Sequence, residues 1–350
     1  MKKNISSVEL SALMKELQFV ERGKVSQVYH QDKKELLLQL HAVGQGKQLL
    51  KIVPGKFLCL THEKHPPLRP TGFCMQLRKY IGNASINKLY QQGSERIVVF
   101  ELEKKERFYL ILELFSKGNI ILTDKDFMII GTLERQIWKD RAVVAKEKYV
   151  FPSPGVDWKK LTSADLGKIL KKSEKKNIAT CLATEVGLGG VFAEEVCARS
   201  EVDGKLLPNE GDPKKLLKGI KSVINEDIGG YIYDLEITPF ELSSKKVVRE
   251  METYNEAVNT IKAFVKATPY EKKIAALLKI VEGQEDNMAA MEREIKENTL
   301  KGDLIYEKYE DLRKLVEYAQ GDWREVSKEL KKLKKIESVD MKNRTVVIEL

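Results

Sequence analysis

The sequence predicts an α+β multidomain protein: a β-rich N-terminal domain, a helix-hairpin-helix module and long coiled-coil helices. Three observations predict it. Short apolar runs separated by turn formers fill residues 24–135, a glycine-rich turn sits between helical segments near residue 188, and a heptad pattern runs through the last hundred residues. At 350 residues the chain exceeds one hydrophobic core, and four segments are expected: 1–160, 161–244, 245–340 and 341–350.

The first element is a helix from Ser6 to about Val20. Leu10, Leu13, Met14 and Leu17 share one face, and Ser6 with Glu9 has the spacing of a capping box. Strands are expected at 25–29, 36–40, 49–53, 57–60, 97–102, 108–114, 120–122 and 127–130. They are bounded by turns such as Pro54-Gly55 and Lys117-Gly118-Asn119. A helix over 71–81 interrupts them. Pro152, Pro154 and Gly155 then break both periodicities and suggest a linker.

A helical module follows to about Gly230, and a strand-like stretch over 230–242 closes it. Thr268-Pro269 before Glu271 starts a further helix, in which Ile274, Val281, Met288 and Ile295 recur every seven residues with Leu277 and Met291 between them. A break is expected at 298–302. A second seam then runs through Ile305, Tyr309, Leu312, Val316, Ala319, Trp323, Val326, Leu330 and Leu333, expected to form an extended arm of roughly 45 Å. The strand-like close at 345–350 is expected to open a further domain that the chain only begins.

Lys plus Arg outnumber Asp plus Glu by 61 to 52, giving a net charge of +9 that favours an anionic partner, nucleic acid or an acidic membrane. The N-terminus lacks the apolar run of a signal peptide. No apolar stretch approaches the ~18–20 residues of a bilayer span, so a cytoplasmic, soluble protein is expected. Cys59, Cys74, Cys181 and Cys197 form no CxxC pair, as in a reducing compartment. The donors Cys59, His62, His65 and Cys74 lack a zinc-finger spacing and are read as no metal site. Walker loops, dinucleotide fingerprints, nucleophile elbows and HExxH helices are all missing from the sequence, so it gives no support to an enzyme.

The chemistry-bearing residues each carry two readings. Glu9 either completes the capping box or acts in a site. The Arg96 guanidinium clamps a phosphate or pairs with a local carboxylate. Arg78 and Lys79 lie opposite the apolar face of their helix, free for phosphate or merely solvated. The turn Gly187-Leu188-Gly189-Gly190 lets phosphate approach backbone amides at a helix start, or is a turn needing positive φ. Lysines at 168, 171, 172, 175 and 176, and at 214, 215, 218 and 221, flank that turn as electrostatic shoulders or as solubilising charge.

The run FCMQLRKY over 73–80 and the run Gln92-Gly93-Ser94-Glu95-Arg96-Ile97 resemble the N-terminal signature of the NFACT family of ribosome quality control factors. The opening Ser6-Ser7-Val8-Glu9-Leu10, the Gly187–Gly190 turn and Gly302-Asp303-Leu304-Ile305-Tyr306 match it as well, so the resemblance spans nearly the whole chain. It implies an N-terminal domain with a sandwich fold similar to formamidopyrimidine-type DNA glycosylases. Those enzymes use an N-terminal proline amine, whereas here Lys2 follows Met1, so glycosylase chemistry is not expected. The resemblance places Glu9, Glu95 and Arg96 in a tRNA-binding role, and Arg78 and Lys79 join it as the basic pair free for phosphate. Glu stands where the family usually has Asp at both 9 and 95, one methylene longer in each case. It further implies the partners: the large ribosomal subunit and its rRNA, particles obstructed by peptidyl-tRNA, and tRNA, commonly alanyl-tRNA. The activity implied is support of template-free C-terminal alanine tailing, with peptide transfer left to the ribosome and no cofactor or metal. Two other functions stay open: a DNA-binding repair protein using the hairpin, and a fibronectin-binding adhesin.

Overall fold

The computed structural model describes residues 2–32, 34–65, 67, 69–138, 141–261, 269–319, 323, 326, 336–340 and 345–348. The chain divides into two compact units, Met1–Phe264 and Val265–Leu350.

The first unit opens with helix α1 (Ser7–Glu16), and both halves of the expected capping box are present. The Ser6 hydroxyl accepts the Glu9 N–H at 3.3 Å, and the Glu9 carboxylate accepts the Ser6 N–H at 2.6 Å. Such reciprocal bonds satisfy two donors the first helical turn leaves open. The helix buries two sides: Leu10, Leu13, Met14 and Leu17 enter the core of the β-domain, while Val8 and Ala12 enter that of the helical module. One helix thus belongs to both cores, and its N-terminus lies where they meet.

Nine antiparallel strands follow: β1 (Lys24–Asp32), β2 (Glu35–Ala42), β3 (Gly46–Val53), β4 (Phe57–Leu60), β5 (Ser85–Gln91), β6 (Ile97–Glu103), β7 (Arg107–Glu113), β8 (Asn119–Asp124) and β9 (Ile129–Thr132). Their order is β4-β3-β2-β1-β5-β6-β7-β8-β9 in one sheet. The central joint between β1 and β5 is a single registered pair, Lys24↔Ser85, and apolar residues from both halves of the sheet share one core. The sandwich expected from the sequence is therefore one sheet folded over. Gly55 and Gly118, in the β3–β4 and β7–β8 turns, meet backbone to backbone: a Cβ on Gly118 would stand 1.9 Å from the Gly55 nitrogen. Helix α2 (Gly72–Ile81) buries Cys74, Leu77 and Ile81, with Thr71 as its N-cap.

Strand β5 was not among the expected strands. A register shift between Ile86 and Lys88 puts Asn87 and Lys88 both in solvent, which breaks the alternation a strand normally shows.

The helical module comprises α3 (Ser163–Lys172), α4 (Ile178–Thr184), α5 (Gly190–Arg199) and α6 (Pro213–Ile224), with Leu166, Leu182, Phe192, Val196 and Ile220 at its centre. Thr162, Asn177 and Asp212 cap α3, α4 and α6 through their side chains. Residues 245–261, expected at the start of the arm, belong to the first unit: helix α7 (Tyr254–Asn259) buries Tyr254, Ala257 and Val258 in the β-domain core.

The second unit holds α8 (Pro269–Glu307) and α9 (Tyr309–Ala319), followed by an antiparallel hairpin of Ile336–Asp340 and Thr345–Ile348. The expected break at 298–302 is helical, and the interruption falls at Lys308. With 39 residues α8 is about 58 Å long at ~1.5 Å per residue. Its seam residues Ile274, Leu277, Val281, Met288, Met291 and Ile295 are exposed, so the pairing of a coiled coil is not seen among the described residues. Leu330 and Leu333 lie outside them. Among the described residues, no helix is long and apolar enough to cross a membrane.

Candidate functional site

Three segments far apart in sequence meet in one cleft of about 350 Å³. Ser6 and Ser7 come from the start of α1, Ser94, Glu95 and Arg96 from the β5–β6 turn, and Gly187 and Gly189 from the α4–α5 turn. Gly155, Val156 and Trp158 of the linker complete the wall.

A chain of polar contacts holds these pieces in register. The Trp158 indole N–H donates to the Ser7 hydroxyl at 3.1 Å, and that hydroxyl donates to the Gly187 carbonyl at 2.9 Å. The Gln91 amide donates to the carbonyls of Ser7 and Glu95, at 3.0 and 2.9 Å, tying the β5–β6 turn to α1. Ser94 donates to Asp157 at 2.5 Å, and the Glu95 carboxylate accepts the Gly155 N–H at 2.7 Å. Glu95 thus anchors the linker as well as lining the cleft.

Arg96 is half-buried. One terminal nitrogen makes a long bond to the Gly55 carbonyl at 3.4 Å, and its buried Nε–H has no partner among the described residues. Burial lowers the guanidinium's pKa, and the nearby Glu9 carboxylate partly offsets this. Glu9 does not line the cleft. It lies beneath it, committed to the Ser6 N–H and to the Lys2 ammonium, which also reaches Glu236 at 3.2 Å and the Ile237 carbonyl at 2.8 Å. Tyr254 is buried close to this group. Its hydroxyl meets no described residue in hydrogen-bonding geometry, and burial first, then Glu9, raises its pKa well above the ordinary range. The capping reading of Glu9 is therefore observed, and its charge also stands next to Arg96.

In the α4–α5 turn, Gly187 and Gly189 both adopt φ of +84°, a region open to glycine at little cost. The Leu188 side chain is buried in the helical core. The N–H groups of Leu188 and Gly189 donate to the Leu182 and Ala183 carbonyls, at 3.2 and 3.1 Å, and so end α4 rather than face solvent. The amides open to an anion are those of Gly190 and its successors in the first turn of α5, for which the helix supplies no acceptor.

Arg78 and Lys79 do not line this cleft. The Arg78 Nε–H donates to the Val28 carbonyl at 2.8 Å and its guanidinium lies over the Tyr29 ring, while Lys79 is exposed beside Tyr80. The flanking lysines of α3 and α6 are mostly solvent-exposed, and Lys168 pairs with Asp165 at 3.3 Å. Cys59, His62, His65 and Cys74 do not gather: both cysteines are buried in the β-domain core and both histidines are exposed. No group of three or more His, Cys, Asp or Glu among the described residues is placed to hold a metal ion.

The residues missed from sequence are Lys2, Ser7, Gln91 and Trp158. Each acts through a contact at least 80 residues away or, for Lys2, across a helix cap, and no local pattern marks such a contact.

The folded sheet joined to a helical module is shared with two solved structures. These are the N-terminal part of the fibronectin/fibrinogen-binding protein of Streptococcus suis (TM-score 0.62, 19% identity, 73% of this chain and 98% of that one) and the fibrinogen binding protein of Staphylococcus aureus (TM-score 0.63, 17% identity, 74% and 99%). The likeness is one of fold. The profile of the NFACT N-terminal and middle domains matches residues 6–266, and the chain belongs to the NFACT family. Similar curated proteins include the archaeal Rqc2 homolog aRqcH of Methanocaldococcus jannaschii, 29% identical over 94% of this chain and 54% of that protein. The human ribosome quality control complex subunit NEMF is 26% identical over 91% and 32%. The chain spans about half or less of the length of these relatives.

Proposed function

We propose that this chain is an RNA-binding factor of ribosome quality control, in which the cleft around Arg96 grips the phosphate backbone of tRNA. In this reading Glu95, Arg96 and the first turn of α5 beyond Gly187–Gly190 face the tRNA, Glu9 sets the charge beneath Arg96, and Arg78 and Lys79 offer a separate basic surface. The protein acts in the cytoplasm on large ribosomal subunits obstructed by peptidyl-tRNA. It positions an aminoacyl-tRNA, alanyl-tRNA first among candidates, for template-free C-terminal tailing. It is not an enzyme, since the ribosome transfers the peptide.

The observation that carries this reading is the state of Arg96. A guanidinium presents five donors and strongly prefers a bidentate anion. Here it lines a cleft with its Nε buried and unpaired, one terminal nitrogen making a long bond to Gly55, and no carboxylate within ion-pairing distance among the described residues, because Glu9 is held by Lys2 and Glu95 by Gly155. The net charge of +9 favours an anionic partner, and the names of the similar proteins support a role in ribosome quality control.

The test is co-sedimentation of the chain with purified large subunits, with and without peptidyl-tRNA, over a range of salt. Retention on obstructed particles that falls steeply with salt is expected. Failure to sediment with either particle in dilute buffer, or tighter binding to duplex DNA than to tRNA in competition, overturns the proposal.

A further inference from the structure

A second, larger cleft of about 760 Å³ lies on the other side of α1, between its last turns, strand β5 and the end of α6. Three lysines converge on it, Lys15 from α1, Lys88 from β5 and Lys159 from the linker. None has a carboxylate within ion-pairing distance among the described residues. Lys15 donates only to the Ile224 carbonyl at 3.2 Å, and Lys159 turns its ammonium inward onto the Gln91 side-chain oxygen at 2.7 Å. The two carboxylates on the walls are already engaged. Glu21 accepts the Leu89 N–H at 2.8 Å, and Glu101, which faces Lys88 in the β5–β6 register, pairs with Arg107 at 3.4 Å. Asp157, the other carboxylate near Lys159, accepts from Ser94. Burial lowers the Lys159 pKa, Asp157 partly offsets this and Lys15 adds to it, so an incoming anion would favour the charged form of Lys159.

Half-buried Tyr90, two residues from Lys88 on the same face of β5, also lines this cleft and packs against the apolar cluster of Ile97, Val99 and Ile111. Cations flanking an aromatic ring with amide side chains nearby match a nucleotide: the ammonium groups take the phosphate and the ring stacks a base. An acidic peptide has no use for the ring, and a free phosphate fills little of the volume.

We propose that this cleft is a second RNA subsite, in which Lys15, Lys88 and Lys159 hold a phosphodiester and Tyr90 stacks the adjoining base. The inference rests on the RNA-binding reading above and extends it. Gln91 links the two sites physically: its amide nitrogen bonds Ser7 and Glu95 of the first cleft, and its oxygen receives Lys159 of the second.

The experiment uses the whole chain and a short oligouridylate carrying 4-thiouridine. Lys15→Ala with Lys88→Ala is expected to weaken binding about tenfold at low salt and to reduce the slope of log affinity against log salt by about 0.7, the share of the one phosphate no longer neutralised. Crosslinks should map to the peptide containing Tyr90, survive Tyr90→Phe and disappear in Tyr90→Leu. Wild-type affinity and slope in the double variant, with Arg96→Ala still weakened, overturn the inference and leave the first cleft standing. No binding by the wild-type chain overturns both. Displacement of the RNA by polyglutamate at equal charge also overturns the subsite, because the ring then contributes nothing.

Discussion

The Lys2 ammonium and the Glu9 carboxylate form an ion pair whose side chains are 8% and 1% exposed, close enough to Arg96 for the Glu9 charge to act on it. Lys2 thereby engages the carboxylate whose charge also acts on Arg96. Removing one partner of a buried pair leaves an uncompensated charge and costs roughly 3–5 kcal/mol. Lys2→Met should lower the unfolding free energy by about that amount in chemical denaturation, and Glu9→Gln, which keeps an oxygen for the Ser6 N–H, by less. RNA affinity should fall in Lys2→Met as well, because the freed carboxylate competes for Arg96.

The meeting of Gly55 and Gly118 closes the folded sheet. Gly118 has φ of +70°, and any Cβ there would overlap the Gly55 nitrogen at 1.9 Å. Gly118→Ala combines overpacking with positive-φ strain and should destabilise the first unit by ~3 kcal/mol or more. Gly93→Ala, with φ of +54° and open space around its Cβ, should cost only about 1 kcal/mol. Thermal melts of the two variants make the comparison.

Glu16 accepts the Tyr254 and Asn255 N–H groups at 2.8 Å, yet burial raises its pKa above the usual 4.5. A raised folded-state pKa gives stability that is fully present below the unfolded value and is lost as pH rises through the folded one. Glu16→Gln keeps an oxygen acceptor and removes the titration. The stability of wild type minus variant should therefore be most favourable to wild type below pH 4.5 and decline above it. Denaturation midpoints measured from acid to neutral pH check the sign.

Much of the fold was legible because local chemistry dictated it. Ser6 and Glu9 announce the start of α1, and the short apolar runs of β2, β3, β6 and β7, bounded by turn formers, announce buried strands. Strand β5 was hidden by the bulge after Ile86, and the helix runs through 298–302 because a lone glycine at 302 costs only about 1 kcal/mol in a helix interior. The start of α1, the Glu95–Arg96 turn and the Gly187 turn were joined beforehand only by family resemblance. Their meeting depends on α1 being shared between two cores, which its sequence shows only as apolar residues on more than one face. That the Leu188 and Gly189 amides are spent on ending α4 has no sequence signal at all.

The central claim is that Arg96 holds an RNA phosphate, and tRNA binding by Arg96→Ala and Arg96→Lys over a series of salt concentrations tests it most directly. Arg96→Ala should lose about tenfold in affinity, with the salt slope reduced by about 0.7–0.9 and the unfolding midpoint little changed. Arg96→Lys should keep the slope and lose part of the affinity, since an ammonium cannot reproduce the guanidinium fork. Wild-type affinity and slope in both variants would contradict the account.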